Sequence, residues 1–136
     1  MDNVSSDRRS EIMSRVPQKG SRPEMIVRRL VHSLGYRYRL HEKSLPGKPD
    51  LVFRGRGKVI FVHGCFWHRH PGCSMARMPK SRLEFWEPKL TSNRERDECN
   101  TRLLLESGWD VLVVWECETA DLNALRSRLQ EYLGPR

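Results

Sequence analysis

The sequence predicts an α/β fold built on a mixed β-sheet flanked by helices. Three observations predict it. Helical and strand periodicities alternate along the chain in the order helix, strands, helix, strand, helix. One strand, Lys58-Val59-Ile60-Phe61-Val62, is apolar on both faces and so belongs in the middle of a sheet covered on both sides. The chain has 136 residues, enough for one packed core and too few for two comfortable ones.

Residues 1–20 are polar and end in Pro17-Gln18-Lys19-Gly20, which predicts a basic N-terminal arm with one short helix around Glu11 to Val16. Residues 21–136 form the predicted domain. Ser21-Arg22-Pro23-Glu24 has the form of a capping box with proline in the first turn. Ile26, Val27, Leu30, Val31 and Leu34 follow at helical spacing, and Gly35 stops the helix. Tyr36 to Leu40 alternates as a half-buried strand, and Ser44 to Pro49 reads as a rigid loop that delivers Asp50. Leu51-Val52-Phe53, the turn Arg54-Gly55-Arg56-Gly57 and the apolar strand Lys58 to Val62 make a hairpin. A loop with Pro71, Gly72 and Pro79 leads to Arg82 to Trp86. After Pro88 comes a long polar helix carrying Leu90, Leu103, Leu104 and Leu105, which ends at Ser107-Gly108. Asp110 to Trp115 is a second buried strand, and Leu122, Leu125, Leu129 and Leu133 mark the last helix.

Lys and Arg number 25 against 17 Asp and Glu, a net charge of +8, with a pI near 9.8. A soluble basic surface alone gives such a balance, but its distribution points to a polyphosphate partner. Through Arg39 there are nine basic residues against four acidic ones. Eight of the nine are arginines, which grip phosphate bidentately. Mean hydropathy is low at -0.68, yet clustered Val, Ile and Leu runs and four tryptophans argue for a folded chain. No apolar stretch approaches a membrane span and the first twenty residues lack a signal-peptide core, so the expected location is cytoplasmic. In that reducing compartment four cysteines are poor disulfide candidates.

The most informative segment is Val62-His63-Gly64-Cys65-Phe66-Trp67-His68-Arg69-His70-Pro71-Gly72-Cys73, at the carboxyl end of the central strand. Thiolate and imidazole are the donors zinc prefers, and Cys65, His70 and Cys73 have the spacing of three local ligands. Cys117, just past the other buried strand, supplies a fourth if the two strands are neighbours. Two buried free cysteines with solvated histidines are the plain alternative. Cys99, in mid-helix, reads as a packed small hydrophobe. Phe66, Trp67 and Trp86 offer flat apolar surface for stacking on bases or wedging between them. For Trp86 a core position is the alternative, and Trp109 and Trp115 read as core.

Pro49-Asp50, a turn and an apolar strand, with Glu24 on the preceding helix, have the layout of the PD-(D/E)xK nucleases. The second half departs from that pattern. Where an acid-x-Lys belongs, the chain has Phe61-Val62-His63, so His63 and His68 must take over proton transfer or phosphate contact. Taken singly, Asp50 also fits a turn and Glu24 also fits the helix cap.

Together with Leu45-Pro46-Gly47-Lys48-Pro49-Asp50, the block His63-Gly64-Cys65-Phe66-Trp67-His68-Arg69-His70 makes the chain resemble the very short patch repair (Vsr) endonucleases. Glu84-Phe85-Trp86, Asn93-Arg94-Glu95-Arg96-Asp97, Gly108-Trp109 and Val114-Trp115-Glu116-Cys117 extend the resemblance, which runs from about Ser10 to Cys117. It implies a restriction-endonuclease-like fold with a structural zinc site, and an enzyme that nicks DNA 5′ to the thymine of a T·G mismatch. By the same resemblance Asp50 would be the magnesium ligand, helped by the Val62 carbonyl. His63 and His68 would contact metal-bound water or phosphate, and Glu24 and Asp97 would hold outer waters. Zinc would fall on Cys65, His70, Cys73 and Cys117. Phe66, Trp67 and Trp86 would enter the duplex from the major groove and Met13 from the minor groove.

The expected protein is therefore a magnesium-dependent, zinc-stabilised DNA endonuclease that starts short-patch repair of deaminated 5-methylcytosine. It would work as a monomer on double-stranded DNA. The resemblance adds mismatch-repair proteins and a cognate cytosine methyltransferase as partners. His68 is the expected base, with His63 steadying transition-state charge, although the sequence does not rank the two. Two rival readings stay open: a zinc-stapled mismatch-binding module without catalysis, and a nuclease of the same fold with another DNA substrate.

Overall fold

The computed structural model describes residues 21–135. The predicted arm, and with it Met13, lies outside the described residues.

Helix α1 (Arg22–Ser33) opens where the capping signal falls: the Ser21 side chain accepts from the Glu24 N–H, and Pro23 sits in the first turn, where a missing donor costs nothing. Val27, Leu30 and Val31 form its buried stripe, and Gly35 takes the positive φ, 96°, that ends it.

Four strands form one sheet in the order β1 (Arg39–Leu40), β2 (Leu51–Phe53), β3 (Lys58–His63), β4 (Asp110–Trp115). The first two pairings are antiparallel; β3 and β4 run parallel. The sheet is mixed, as predicted, and β3 is an inner strand with Val59, Ile60 and Phe61 buried. Between β2 and β3 the expected turn is a single 3-10 turn over Arg54–Arg56, closed by Gly57 at φ 66°.

Alternation along β3 sorts the core into two layers. On one face Ile60, Leu51, Phe53 and Val114 pack with Val27, Leu30 and Val31 of α1 and with Leu125, Leu129 and Leu133 of α3 (Leu122–Leu133). On the other, Val52, Val59 and Phe61 pack with Leu104 of α2 (Leu83–Glu106). Helices thus cover both faces.

Four local expectations are corrected. The strand foreseen over Tyr36 to Leu40 is only two residues long, because Tyr36 turns into the core and its hydroxyl donates to the Gly134 carbonyl. Helix α2 begins at Leu83, five residues before Pro88, not after it. Proline deletes only the bond to the Glu84 carbonyl, and Trp86, buried in aromatic contacts, pins the turn ahead of it. Strand β4 is a sheet edge with only Val114 fully buried, since no strand among the described residues pairs beyond it. Cys99 is exposed rather than packed, because the buried stripe of α2 runs through Leu90 and Leu104.

Candidate active site

The carboxyl end of β3 is where three groups of side chains meet. Parallel pairing sets His63 opposite Trp115. Two residues on, each strand releases a cysteine, so Cys65 and Cys117 arrive side by side. His70 Nδ1 lies 3.6 Å from Cys65 Sγ and 3.5 Å from Cys117 Sγ. With Cys73 these donor atoms all fall within 4.8 Å of one another, a set that could hold a metal ion. The loop is wound tightly around them: His70 N–H donates to the Cys65 carbonyl and Cys73 N–H to the His70 carbonyl. The His70 ring stacks on Trp115, centroids 4.2 Å apart. Burial pushes the Cys65 thiol up to about 12 and raises Cys117, whereas the Met75 backbone N–H lowers Cys73.

The second group faces α2. His63 follows Phe61 on the same side of β3, buried, with its ring stacked on His68 at 3.9 Å and edge-on to Trp115 at 5.3 Å. His68 Nδ1 lies 2.5 Å from Asp97 Oδ2 on α2. Burial and the neighbouring His68 push His63 down to about 3, so it is neutral at working pH.

The third group lies on the α1 side. Asp50 Oδ2 accepts the Val62 N–H at 2.7 Å, which fixes the carboxylate against β3. Val62 contributes its amide hydrogen to this contact. Glu24 is 1% exposed, and its Oε2 meets His41 Nε2 at 3.0 Å; Asp50 Oδ1 is 3.8 Å from the same nitrogen. Burial first, and then Glu24, raise Asp50 to about 7 despite the Val62 hydrogen bond, which pulls the other way. Glu24, His41 and Asp50 form a further set able to hold a cation, with donor atoms within 4.8 Å of each other.

Sequence reasoning gathered Asp50, Glu24, His63, His68 and Asp97 into one site, and the fold divides them into two triads on either side of the end of β3. Glu24 reads in sequence mainly as a helix cap; its backbone does bond Ser21, but its carboxylate turns into the site. His41 was missed. Its backbone N–H continues the β1–β2 ladder by donating to the Asp50 carbonyl, so it is the cross-strand neighbour of Asp50. Counting the register back from Leu40 and Leu51 finds it.

The aromatic residues gather beside this junction. Phe66, Trp67, Phe85 and Trp86 meet edge to face with centroids 5.0–5.8 Å apart. Lys89 stands over Trp67 and Phe85, and Arg82 over Phe85. Trp86 is 9% exposed, while Phe85, to which the sequence assigns no role, is 40% exposed. Cationic side chains over half-buried Trp67 and exposed Phe85 suit a nucleic-acid surface.

Paired carboxylates, paired imidazoles and an aromatic surface at one sheet end are the equipment of a nuclease, a hydrolase that cleaves DNA. A profile of the family described as DNA mismatch endonuclease Vsr matches residues 1–74. A Type II nicking enzyme of Xanthomonas oryzae pv. oryzae, V.XorIIP, is 53% identical over 98% of each chain. The DNA mismatch endonuclease Vsr of Escherichia coli K12 is 39% identical over 92% of this chain and 83% of that one. A Neisseria meningitidis nicking enzyme, V.NmeAIP, is 41% identical over 94% and 91%. The chain belongs to the Vsr family of DNA endonucleases.

Proposed function

We propose that this endonuclease nicks duplex DNA 5′ to the thymine of a T·G mismatch left by 5-methylcytosine deamination, with magnesium as catalytic ion and zinc as structural ion. The observation that carries the reading is the pair of triads at the end of β3, Glu24, His41 and Asp50 in one and His63, His68 and Asp97 in the other.

The donor sets fit the two ions. Asp50 and Glu24 are hard oxygen donors; burial first and Glu24 second raise the Asp50 carboxyl, and a cation would offset both. Tetrahedral zinc with Zn–S near 2.3 Å and Zn–N near 2.05 Å sets S···N at about 3.6 Å. His70 is 3.6 and 3.5 Å from its two sulfurs. Four protein ligands leave zinc no open position, so its role is to stiffen the loop that carries Phe66, Trp67 and His68.

When bound, magnesium supplies positive charge against the phosphate and acidifies water. The protein's own groups do the rest. Asp97 engages Nδ1 of His68, which fixes the N–H tautomer there and leaves Nε2 as the basic atom, so His68 is the general base. His63, held neutral, offers one ring N–H to a phosphate oxygen. The structure thereby supports an order between two histidines that sequence left exchangeable. Phe66, Trp67 and Phe85 would stack on bases where pairing is already weak, since unstacking costs less there. The relatives' names, a mismatch endonuclease and nicking enzymes, suit one catalytic centre making one cut.

The test is a duplex containing a single T·G pair. Protein with magnesium should nick the thymine strand, and Asp50→Ala should not. Equal cutting of the fully paired duplex would refute mismatch specificity, and full activity of the variant would refute the metal site.

A further inference from the structure

We infer that His41 is a metal ligand that makes the Asp50 site prefer a first-row transition ion, manganese being the weakest-binding of them, over magnesium; the inference rests on the reading of Asp50 as a metal site. His41 holds a position that its backbone does not favour. Its φ is 48°, in the left-handed region, where a non-glycine residue is uncommon and costs energy. What that conformation achieves is aim. The imidazole is only 16% exposed and Nε2 points at both carboxylates, 3.0 Å from Glu24 and 3.8 Å from Asp50.

Neighbouring ligands around an ion with bonds of about 2.1 Å stand about 3 Å apart, so Glu24 and His41 are already at ligand spacing, and Asp50, 3.8 Å from Nε2, needs to move in by less than an ångström. The Glu24–His41 contact is then the hydrogen bond that an entering cation replaces. The set is anchored on three elements: Glu24 on α1, His41 at the end of β1, and Asp50 ahead of β2. The β ladder from His41 N–H to the Asp50 carbonyl locks the last two together. Two carboxylates alone favour magnesium or calcium. Adding an imidazole nitrogen shifts preference toward first-row transition ions, because nitrogen binds them more strongly than it binds magnesium.

The experiment titrates the zinc-loaded protein with Mn2+, following free Mn2+ by electron paramagnetic resonance with Mg2+ as competitor, and examines bound Mn2+ for nitrogen coupling by electron spin-echo modulation. Wild type should bind Mn2+ at least about ten-fold more tightly than Mg2+, with one nitrogen coupled. His41→Gln should lose the coupling and bring the two ions within about three-fold of each other while still binding both. His41→Asn, checked for folding by its melting transition, serves as the second variant. No coupling in wild type, coupling that survives in both variants, or an unchanged preference would overturn the proposal. Asp50→Ala separates the underlying reading: if it binds Mn2+ as tightly as wild type, the ion does not sit at Asp50 and that reading fails as well.

Discussion

Asp97 of α2 reaches across to His68 in the loop after β3, its Oδ2 lying 2.5 Å from Nδ1 of the imidazole. The pair joins helix α2 to the segment that carries both cysteine and aromatic residues. It ties Nδ1 of His68 to α2, and the ring lies flat against His63 at 3.9 Å.

Asp97→Asn should therefore lower kcat by about 100-fold or more with little change in KM, because the acceptor that fixes the tautomer is gone while the DNA surface is intact. His68→Ala should cost at least as much. The double variant should be no slower than His68→Ala alone, since the two residues act as a unit. Additive losses in single-turnover nicking would show that Asp97 works independently of His68.

Stability should respond to pH through Asp50. Its carboxyl goes from an ordinary 3.8 to about 7 on folding, so between those values the native state keeps a proton that the unfolded chain has lost. Stability contributed by this group falls as pH rises through that window, by a total of roughly 4 kcal/mol. His63, pushed down to about 3, has the opposite slope between about 3 and 6.5 and masks the effect in wild type. The difference between Asp50→Asn and wild type cancels the His63 contribution. Without added divalent metal, the variant's melting advantage should grow from about pH 4 to about pH 7.5; a constant difference would contradict the raised carboxyl.

Metal analysis of the purified chain should find one zinc per molecule. Cys117→Ser and His70→Ala should lose it, lower the melting temperature and reduce nicking, even though neither residue lies in the triads. Exposed Cys99→Ser should keep it. Because Cys65 and Cys117 must give up protons from raised thiols, zinc retention should fall steeply on acidification. Full zinc content in Cys117→Ser would remove that residue from the ligand set.

The aromatic cluster should divide by burial. Trp86→Ala should destabilise the fold by about 3 kcal/mol, since it empties a buried site. Trp67→Ala and Phe85→Ala should leave the melting temperature nearly unchanged and bring the nicking rate on mismatched DNA toward that on paired DNA. The ratio of the two rates, measured beside thermal melts, separates the roles. A stable Trp86→Ala protein that has lost only discrimination would make Trp86 a reading residue instead.

The sequence by itself determined the inner strand Lys58 to Val62, the helix that opens at Ser21, the soft-donor quartet of Cys65, His70, Cys73 and Cys117, and the place of Asp50 at the head of a strand. Each of these is a local property: periodicity marks the strand, capping chemistry marks the helix, and donor type marks the ligands. The start of α2 was not local, because aromatic packing around Trp86 overrides the usual meaning of Pro88. Only the tertiary structure decided which partner each histidine takes. His70 goes to Cys65 and Cys117 because parallel register brings two strand ends together. His68 goes to Asp97 because α2 lies over that face of β3. His41 goes to Glu24 and Asp50 because the β1–β2 ladder sets it opposite an aspartate nine residues along the chain. Sequence specifies what a side chain can bind, but a partner is fixed by distance, and distance across a sheet or between layers exists only once the chain has folded.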